Sequence, residues 1–333
     1  MATIYEVSEL AGVSLATVSR VMNNSGRVSP KTRQKVVSAM HELNYLPNSI
    51  AQSLASRRSN CVGVLVSELH GPIFGAMVSA IEEELRRAGK FVFFAAGHSE
   101  ESKEKEGINF LTSRNCDALI MHVESLSDHD LLELKKSETP FVLINRRIYG
   151  LEDRCISLNN EEGGYQATKL LLDQGHRQIA YISGPLKWGD ANARLMGHKR
   201  ALAEFAVKFD DALMVEGNYL VPGGSKAMEQ LFEQGAQFSA VVCANDEMAV
   251  GAIEAIRARN LSIPQDLSVV GFDNVRWAPF LSPKLTTVDN PVGAMGAAAA
   301  QWVLKNVYED DSLEIQTIFE PTLFERESAG PPS

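Results

Sequence analysis

The sequence predicts a small all-α domain followed by a larger α/β body of two lobes, each a doubly wound parallel sheet. Three observations carry this expectation. The chain has 333 residues, more than one ordinary core accommodates. Its charge is uneven: residues 1–60 hold seven Lys and Arg against three Asp and Glu, whereas the whole chain has a formal net charge of −10. From residue 60 onward, short apolar runs alternate with amphipathic stretches, the signature of repeated βα units. A composition of 45% hydrophobic and 22% charged residues suits a folded protein. No window approaches the roughly eighteen uninterrupted apolar residues of a membrane helix.

The first sixty residues read as short helices. Thr3 and Glu6 form a T-x-x-E capping box, and Ile4, Val7, Leu10 and Ala11 follow at helical spacing. Gly12 ends this helix, and Ser14 caps a second one carrying Val18 and Val21 inward. Ser29-Pro30 starts a third, with Val36, Val37, Met40 and Leu43 as its buried stripe. A tight glycine corner between the first two helices matches the helix-turn-helix, whose second helix enters the major groove of DNA. On it, Arg20 can pair bidentately with guanine, while Leu15 and Ala16 can offer apolar contact to a thymine methyl. Ser14, Thr17, Ser19, Asn23 and Asn24 are short donors suited to phosphates. Residues 48–58 read either as a plain linker or as a helix of barely two turns that orders against DNA, with Leu54 as a minor-groove wedge. A basic module on an acidic body is the asymmetry expected when only one part meets phosphate.

In the body, strands are expected at Cys61–Val66, Phe91–Ala95, Ala118–His122, Phe141–Ile144, Ile179–Ser183, Ala240–Cys243 and Ser268–Gly271. Helices fall between them, around Gly75–Ala88, Lys103–Ser113, Gly163–Gln174, Asn192–Phe205 and Glu247–Arg259. A late crossover is expected near Leu285–Pro291, and a single final strand around Thr317–Leu323. Ligands of open α/β sheets sit beyond the carboxyl ends of the strands. There the sequence places Asn145, Asn245, Asp246 and Asp273, and Arg194 lies on a helix close behind Asp190. Such groups donate to and accept from sugar hydroxyls, while Phe74, Trp188 or Tyr219 can stack on an apolar sugar face. Asn245 and Asp273 serve equally well as helix N-caps.

The stretch Val7-Ser8-Glu9-Leu10-Ala11-Gly12-Val13-Ser14-Leu15-Ala16-Thr17-Val18-Ser19-Arg20-Val21-Met22-Asn23, with Asn44-Tyr45-Leu46-Pro47-Asn48, resembles the signature of the LacI/GalR family of bacterial repressors. The similarity runs to about Leu323, within the galactose repressor and isorepressor branch. It implies a helix-turn-helix domain at 1–46, a hinge helix or linker at 47–59, a periplasmic-binding-protein-like body at 60–325 and a tail at 326–333. It also implies base reading by Arg20, Leu15 and Ala16, further DNA contacts that include Asn48, and Leu54 as the hinge wedge. Ala193-Arg194-Leu195, Ala244-Asn245-Asp246-Glu247-Met248-Ala249 and Val270-Gly271-Phe272-Asp273 match segments whose Arg, Asn and Asp bind the effector. Asn145 stands where several relatives carry Asp, and Tyr219 where an aromatic covers the ligand. The implied partners are palindromic operator DNA, a second copy of the chain and a galactose-like sugar, with a nucleoside or another sugar next and corepression as the alternative to release. Gly75–Ile81 reads as core packing or, by the resemblance, as dimer face. The tail shows no leucine heptad, which favours a dimer over a tetramer.

Other classes find less support. The chain lacks G-x-G-x-x-G, Walker A, G-x-S-x-G and H-E-x-x-H patterns, so no enzyme, cofactor or metal is expected. His122, His176 and His198 read as core or surface residues. Cys61, Cys116, Cys155 and Cys243 lie far from zinc spacing and are expected as reduced thiols. A free-standing sugar carrier would fit residues 60–325, but it would begin with an export signal in place of the basic module. The expected location is the bacterial cytoplasm, on the nucleoid.

Overall fold

The computed structural model describes residues 2–22, 26–45, 58–235 and 237–333. The chain forms two compact units, residues 1–61 and 62–333. Asn23, Asn24, Asn48 and Leu54, with most of the 47–59 segment, lie outside the described residues.

In the first unit, helices span Ile4–Ala11, Leu15–Met22 and Pro30–Glu42. The capping box forms, with Thr3 N donating to Glu6 Oε2 at 2.6 Å and Glu6 N to Thr3 Oγ1 at 3.4 Å. Gly12 ends the first helix at φ 62°, a left-handed conformation that glycine adopts without strain. Ser8 Oγ, donating to Val13 O at 2.6 Å, holds the corner. Val7, Ala11, Val18, Val21, Val36 and Ala39 make the core. Val37, expected inside, is 53% exposed. A step of one residue turns a helix by about 100°, and Ala39 takes the inward place.

The second unit holds two six-stranded sheets. The first runs β11-β5-β4-β3-β1-β2, from β1 Cys61–Val66, β2 Phe91–Ala96, β3 Ala118–Met121, β4 Phe141–Ile144, β5 Cys155–Leu158 and β11 Ile318–Phe319. The second runs β12-β10-β9-β8-β6-β7, from β6 Ile179–Ser183, β7 Met214–Glu216, β8 Ala240–Cys243, β9 Ser268–Asp273, β10 Thr286–Asp289 and β12 Thr322–Phe324. From β1 through β3, β4 and β5 to β11, and from β7 through β6, β8 and β9 to β10, neighbouring strands pair in parallel, whereas β10 pairs with β12 antiparallel. β3, β4, β6, β8 and β9 are buried throughout, as expected of strands covered on both faces.

The chain changes lobe after β5, after β10 and between β11 and β12. The single final strand expected at 317–323 is therefore two short ones, one in each sheet. Pro321 stands at the break, where a residue without an N–H interrupts the ladder. The expected crossover at Leu285–Pro291 contains β10, and the helix Val292–Tyr308 then returns to pack on the first lobe. That helix meets Pro72–Arg87 through Met77 and Ile81, so one face of Gly75–Ile81 is core. Residues 326–330 are stitched into the second sheet: Ser328 Oγ donates to Val269 O at 2.6 Å and accepts from Thr286 N at 2.8 Å.

Candidate functional sites

On the first unit, Leu15, Ala16 and Arg20 are exposed, and their spacing of four and five puts them on one side of the second helix. Ser14 caps that helix, accepting from Thr17 N at 3.2 Å, and its hydroxyl lies 2.9 Å from Thr17 Oγ1. The two hydroxyls thus fix the helix start; Ser19 is half-buried further along it.

On the second unit, one cleft of about 190 Å³ brings together eight of the nine residues expected from the sequence, Phe74, Asn145, Trp188, Asp190, Arg194, Tyr219, Asn245 and Asp273, and leaves out Asp246. They arrive on carboxyl ends of parallel strands in both lobes and on adjoining helix starts. Asn145 (φ 59°), Tyr219 (φ 65°) and Asp273 (φ 106°) all have left-handed backbones, a strain that non-glycine residues keep where the surroundings enforce it.

Arg194 is the centre of the arrangement. Its helix, Gly189–Glu204, lies so close to Asn160–Asp173 that a Cβ on Gly164 would overlap the Arg194 carbonyl, and one on Gly197 the Glu161 carbonyl. Nε then donates to Asn160 Oδ1 at 2.8 Å and Nη1 to Ala244 O at 2.6 Å. The guanidinium lies 3.7 Å from the centroid of the Phe272 ring, with Asp273 Oδ1 at 3.7 Å and Asp190 Oδ2 at 3.8 Å. Burial opposes its charge, against the pull of Asp273 and Asp190 beside it. Asn160 also donates through Nδ2 to Asn145 Oδ1 at 3.1 Å, which links Arg194 to the first lobe.

The aromatic wall is Tyr219 stacked on Trp188, with centroids 5.8 Å apart, and Tyr219 OH donating to Asp190 Oδ2 at 3.0 Å. Gly184 makes room for the Tyr219 ring, which a Cβ there would strike. Asn245 is both cap and wall: its Oδ1 accepts from Met248 N and its Nδ2 donates to Tyr219 O, each at 2.9 Å. Asp273 caps nothing; it accepts from Asn290 Nδ2 at 3.0 Å. Burial pushes its carboxyl up to about 6, against the pull of Arg194 and of that hydrogen bond. Asp246 turns away to accept from Thr287 Oγ1 at 2.5 Å and Val275 N at 2.9 Å, a structural link.

The sequence did not point to Asn160, Asn290, Glu124 or His122. His122 lines the cleft edge-on to Phe74 at 5.2 Å, with Nδ1 3.3 Å from Ser67 Oγ. Trp188 Nε1 and Asn290 Oδ1 are buried cleft-wall atoms without a hydrogen-bond partner, a capacity that a ligand or water can meet.

Comparisons with known proteins match both units of the chain. Residues 3–48 match the model for bacterial regulatory proteins of the lacI family, and residues 59–324 that for periplasmic binding proteins and the sugar binding domain of the LacI family. The chain is 40% identical over 333 residues to the HTH-type transcriptional regulator GalR of Escherichia coli strain K12, covering 100% of this chain and 97% of the relative. It is 37% identical over 328 residues to the regulator GalS of Salmonella typhimurium strain LT2, covering 98% and 96%. Among solved structures, the lac repressor dimer bound to operator and the anti-inducer ONPF matches with a TM-score of 0.87 at 30% identity, over 98% of each chain. These relatives are transcriptional regulators, and no described helix is long and apolar enough to cross a membrane. With both of its units matched, the chain belongs to the LacI family of bacterial regulatory proteins.

Proposed function

We propose that this protein is a repressor of sugar-utilisation genes, acting in the cytoplasm as a homodimer on palindromic operators and released by a galactose-like sugar. It acts by binding, not by catalysis. The observation that carries the reading is the cleft itself: a guanidinium, carboxylates and amides converge beside a stacked aromatic pair, in a chain that begins with a helix-turn-helix. This is the mixture of directional polar groups and apolar face that a sugar presents in mirror image. The Asn145–Asn160–Arg194 chain gives a ligand in the cleft a route to the angle between the lobes. A sugar that favours one lobe arrangement depletes the DNA-competent one by the difference of its affinities for the two.

Two features support the dimer. Edge strand β2 shows Phe91, Phe93 and Phe94 to solvent, an unpaired apolar edge that suits a second copy. A dyad would also pair two reading helices with two half-sites one helical turn apart.

The test begins with selection of a palindromic duplex from a random pool by the purified protein, followed by footprinting. Sugar is expected to clear the footprint, and Arg20→Ala to weaken specific binding by about 1–3 kcal/mol per half-site while leaving the fold intact. Unchanged occupancy at saturating concentrations of every common sugar would sink the release mechanism.

A further inference from the structure

Asp246 is the residue that the strand-end pattern offers as a ligand and that the cleft leaves out. It begins the helix Asp246–Ala258 directly after Asn245, and its side chain is fully buried. A buried carboxyl is costly unless its oxygens are paired, and the partners of this one are informative.

Oδ1 accepts from Thr287 Oγ1 at 2.5 Å, and Oδ2 accepts from Val275 N at 2.9 Å. Gly271 of β9 makes room for this contact, since a Cβ there would overlap Asp246 Oδ1. Thr287 Oγ1 in turn accepts from Asn274 N at 3.3 Å. Asp246 thus holds, directly or through one hydroxyl, both of the residues that follow Asp273. Asp273 (φ 106°) and Asn274 (φ 49°) are left-handed in succession, a conformation that non-glycine residues keep only where neighbours enforce it. The Asn274 side chain adds two anchors: Nδ2 donates to Asp289 Oδ1 at 2.9 Å, and Oδ1 accepts from Arg326 Nη2 at 2.6 Å.

The turn so fixed decides where Asp273 points. Its carboxyl reaches Asn290 Nδ2 at 3.0 Å and stands 3.7 Å from Arg194 Nη1. A relaxed backbone at 273 would swing it away from both. On the other side Asp246 is joined to Asn245, whose Nδ2 holds Tyr219 O. One carboxyl therefore ties the exit of β8 to the exits of β9 and β10, and with them the spacing of two cleft residues.

We propose that Asp246 is a positioning residue for the sugar site: it enforces the left-handed turn at Asp273–Asn274 and so aims Asp273 at Arg194. The proposal rests on the sugar reading of the cleft and adds to it a residue that never meets the sugar.

Calorimetry and thermal melting on the full-length protein test it, with D-galactose, D-glucose, D-fructose and D-ribose as probes. Asp246→Ala removes both ties and is expected to weaken the sugar that binds by about tenfold or more. Asp246→Asn can accept from Val275 N and donate to Thr287 Oγ1, and is expected to restore most of that loss. Because Asp246 acts through Asp273, adding Asp246→Ala to Asp273→Asn is expected to change affinity by no more than about twofold. Full affinity in a folded Asp246→Ala, or losses that multiply in the double variant, overturns the positioning and leaves the sugar site standing. If Asp246→Ala does not fold, Thr287→Val, which deletes the hydroxyl between the carboxyl and Asn274, takes its place in the cycle. Binding by none of the four sugars overturns the sugar reading, and the pH dependence of stability then judges Asp246 alone. Between roughly pH 4.5 and 6, Asp273→Asn is expected to flatten the profile in the wild-type background and to leave it unchanged beside Asp246→Ala, where the Asp273 carboxyl has turned to water. Equal flattening in both backgrounds overturns the positioning as well.

Discussion

Asp273 holds a position that an ordinary carboxylate would not choose. Its backbone is left-handed, its side chain is buried, and Arg194 and Asn290 only partly offset the loss of water. In the unfolded chain its pKa returns to about 3.9. The folded protein therefore binds more protons between roughly pH 4 and 6, and in that window stability falls as pH rises, the loss being complete above about 6. Asp273→Asn is expected to flatten this part of the profile, removing a slope worth on the order of 3 kcal/mol across the window. Urea midpoints of both proteins from pH 4.5 to 7 would reveal it, and parallel profiles would show that Asp273 is not the group responsible. Arg194, Asn245 and Asp273 were legible in the sequence because ligand groups sit at the ends of apolar strands. Asn160 was hidden because it follows β5, whose Cys-Ile-Ser-Leu breaks the apolar run with Ser157, whereas the equally short β3, β4 and β8 are apolar throughout. Asn290 was hidden because it stands where the chain leaves one lobe for the other, a fact of topology and not of local pattern.

At the scale of elements, the cleft depends on how closely two pairs of helices pack. Gly164 and Gly197 bring Asn160–Asp173 against Gly189–Glu204, and Gly224 and Gly251 do the same for Val221–Glu233 and Asp246–Ala258. In each case an added Cβ meets backbone, which cannot swing aside as a side-chain end can. Gly164→Val is expected to cost about 1–3 kcal/mol as the helices separate. It should also weaken sugar binding, because the Asn160–Arg194 bond spans the same gap. Thermal melting combined with calorimetry checks both, and a destabilised variant with undiminished sugar affinity would uncouple the packing from the site. Nothing in the spacing of these glycines distinguishes them from loop glycines. Val221-Pro222-Gly223-Gly224 has the composition of a turn, although it opens a helix. The alanine-rich helix Val292–Tyr308 shows a similar mismatch: buried on most sides, it has no amphipathic stripe to read.

For the whole molecule, the proposed dimer makes a demand that one chain cannot meet. Phe91 is 71% exposed on the β2 edge, where a monomer would place charge. Phe91→Glu is expected to raise the dimer dissociation constant at least roughly 30-fold and to weaken operator binding with it, sugar affinity being kept. Sedimentation at micromolar concentration reads the first effect, and a variant that stays dimeric would move the interface elsewhere. The division into two units was legible from charge and periodicity alone. The threading of the body was not, because β11 and β12 are only two and three residues long and serve different sheets.

That threading also dictates an order of assembly. Each sheet of the body receives a strand from the stretch Ile318–Phe324, and neither is complete until that stretch has left the ribosome. The helical unit closes its core within the first 45 residues and can fold while the rest is still being made. A nascent chain would thus own a DNA-reading surface before it owned a finished sugar cleft, and the body would acquire both of its lobes together, once the chain has been made as far as Phe324.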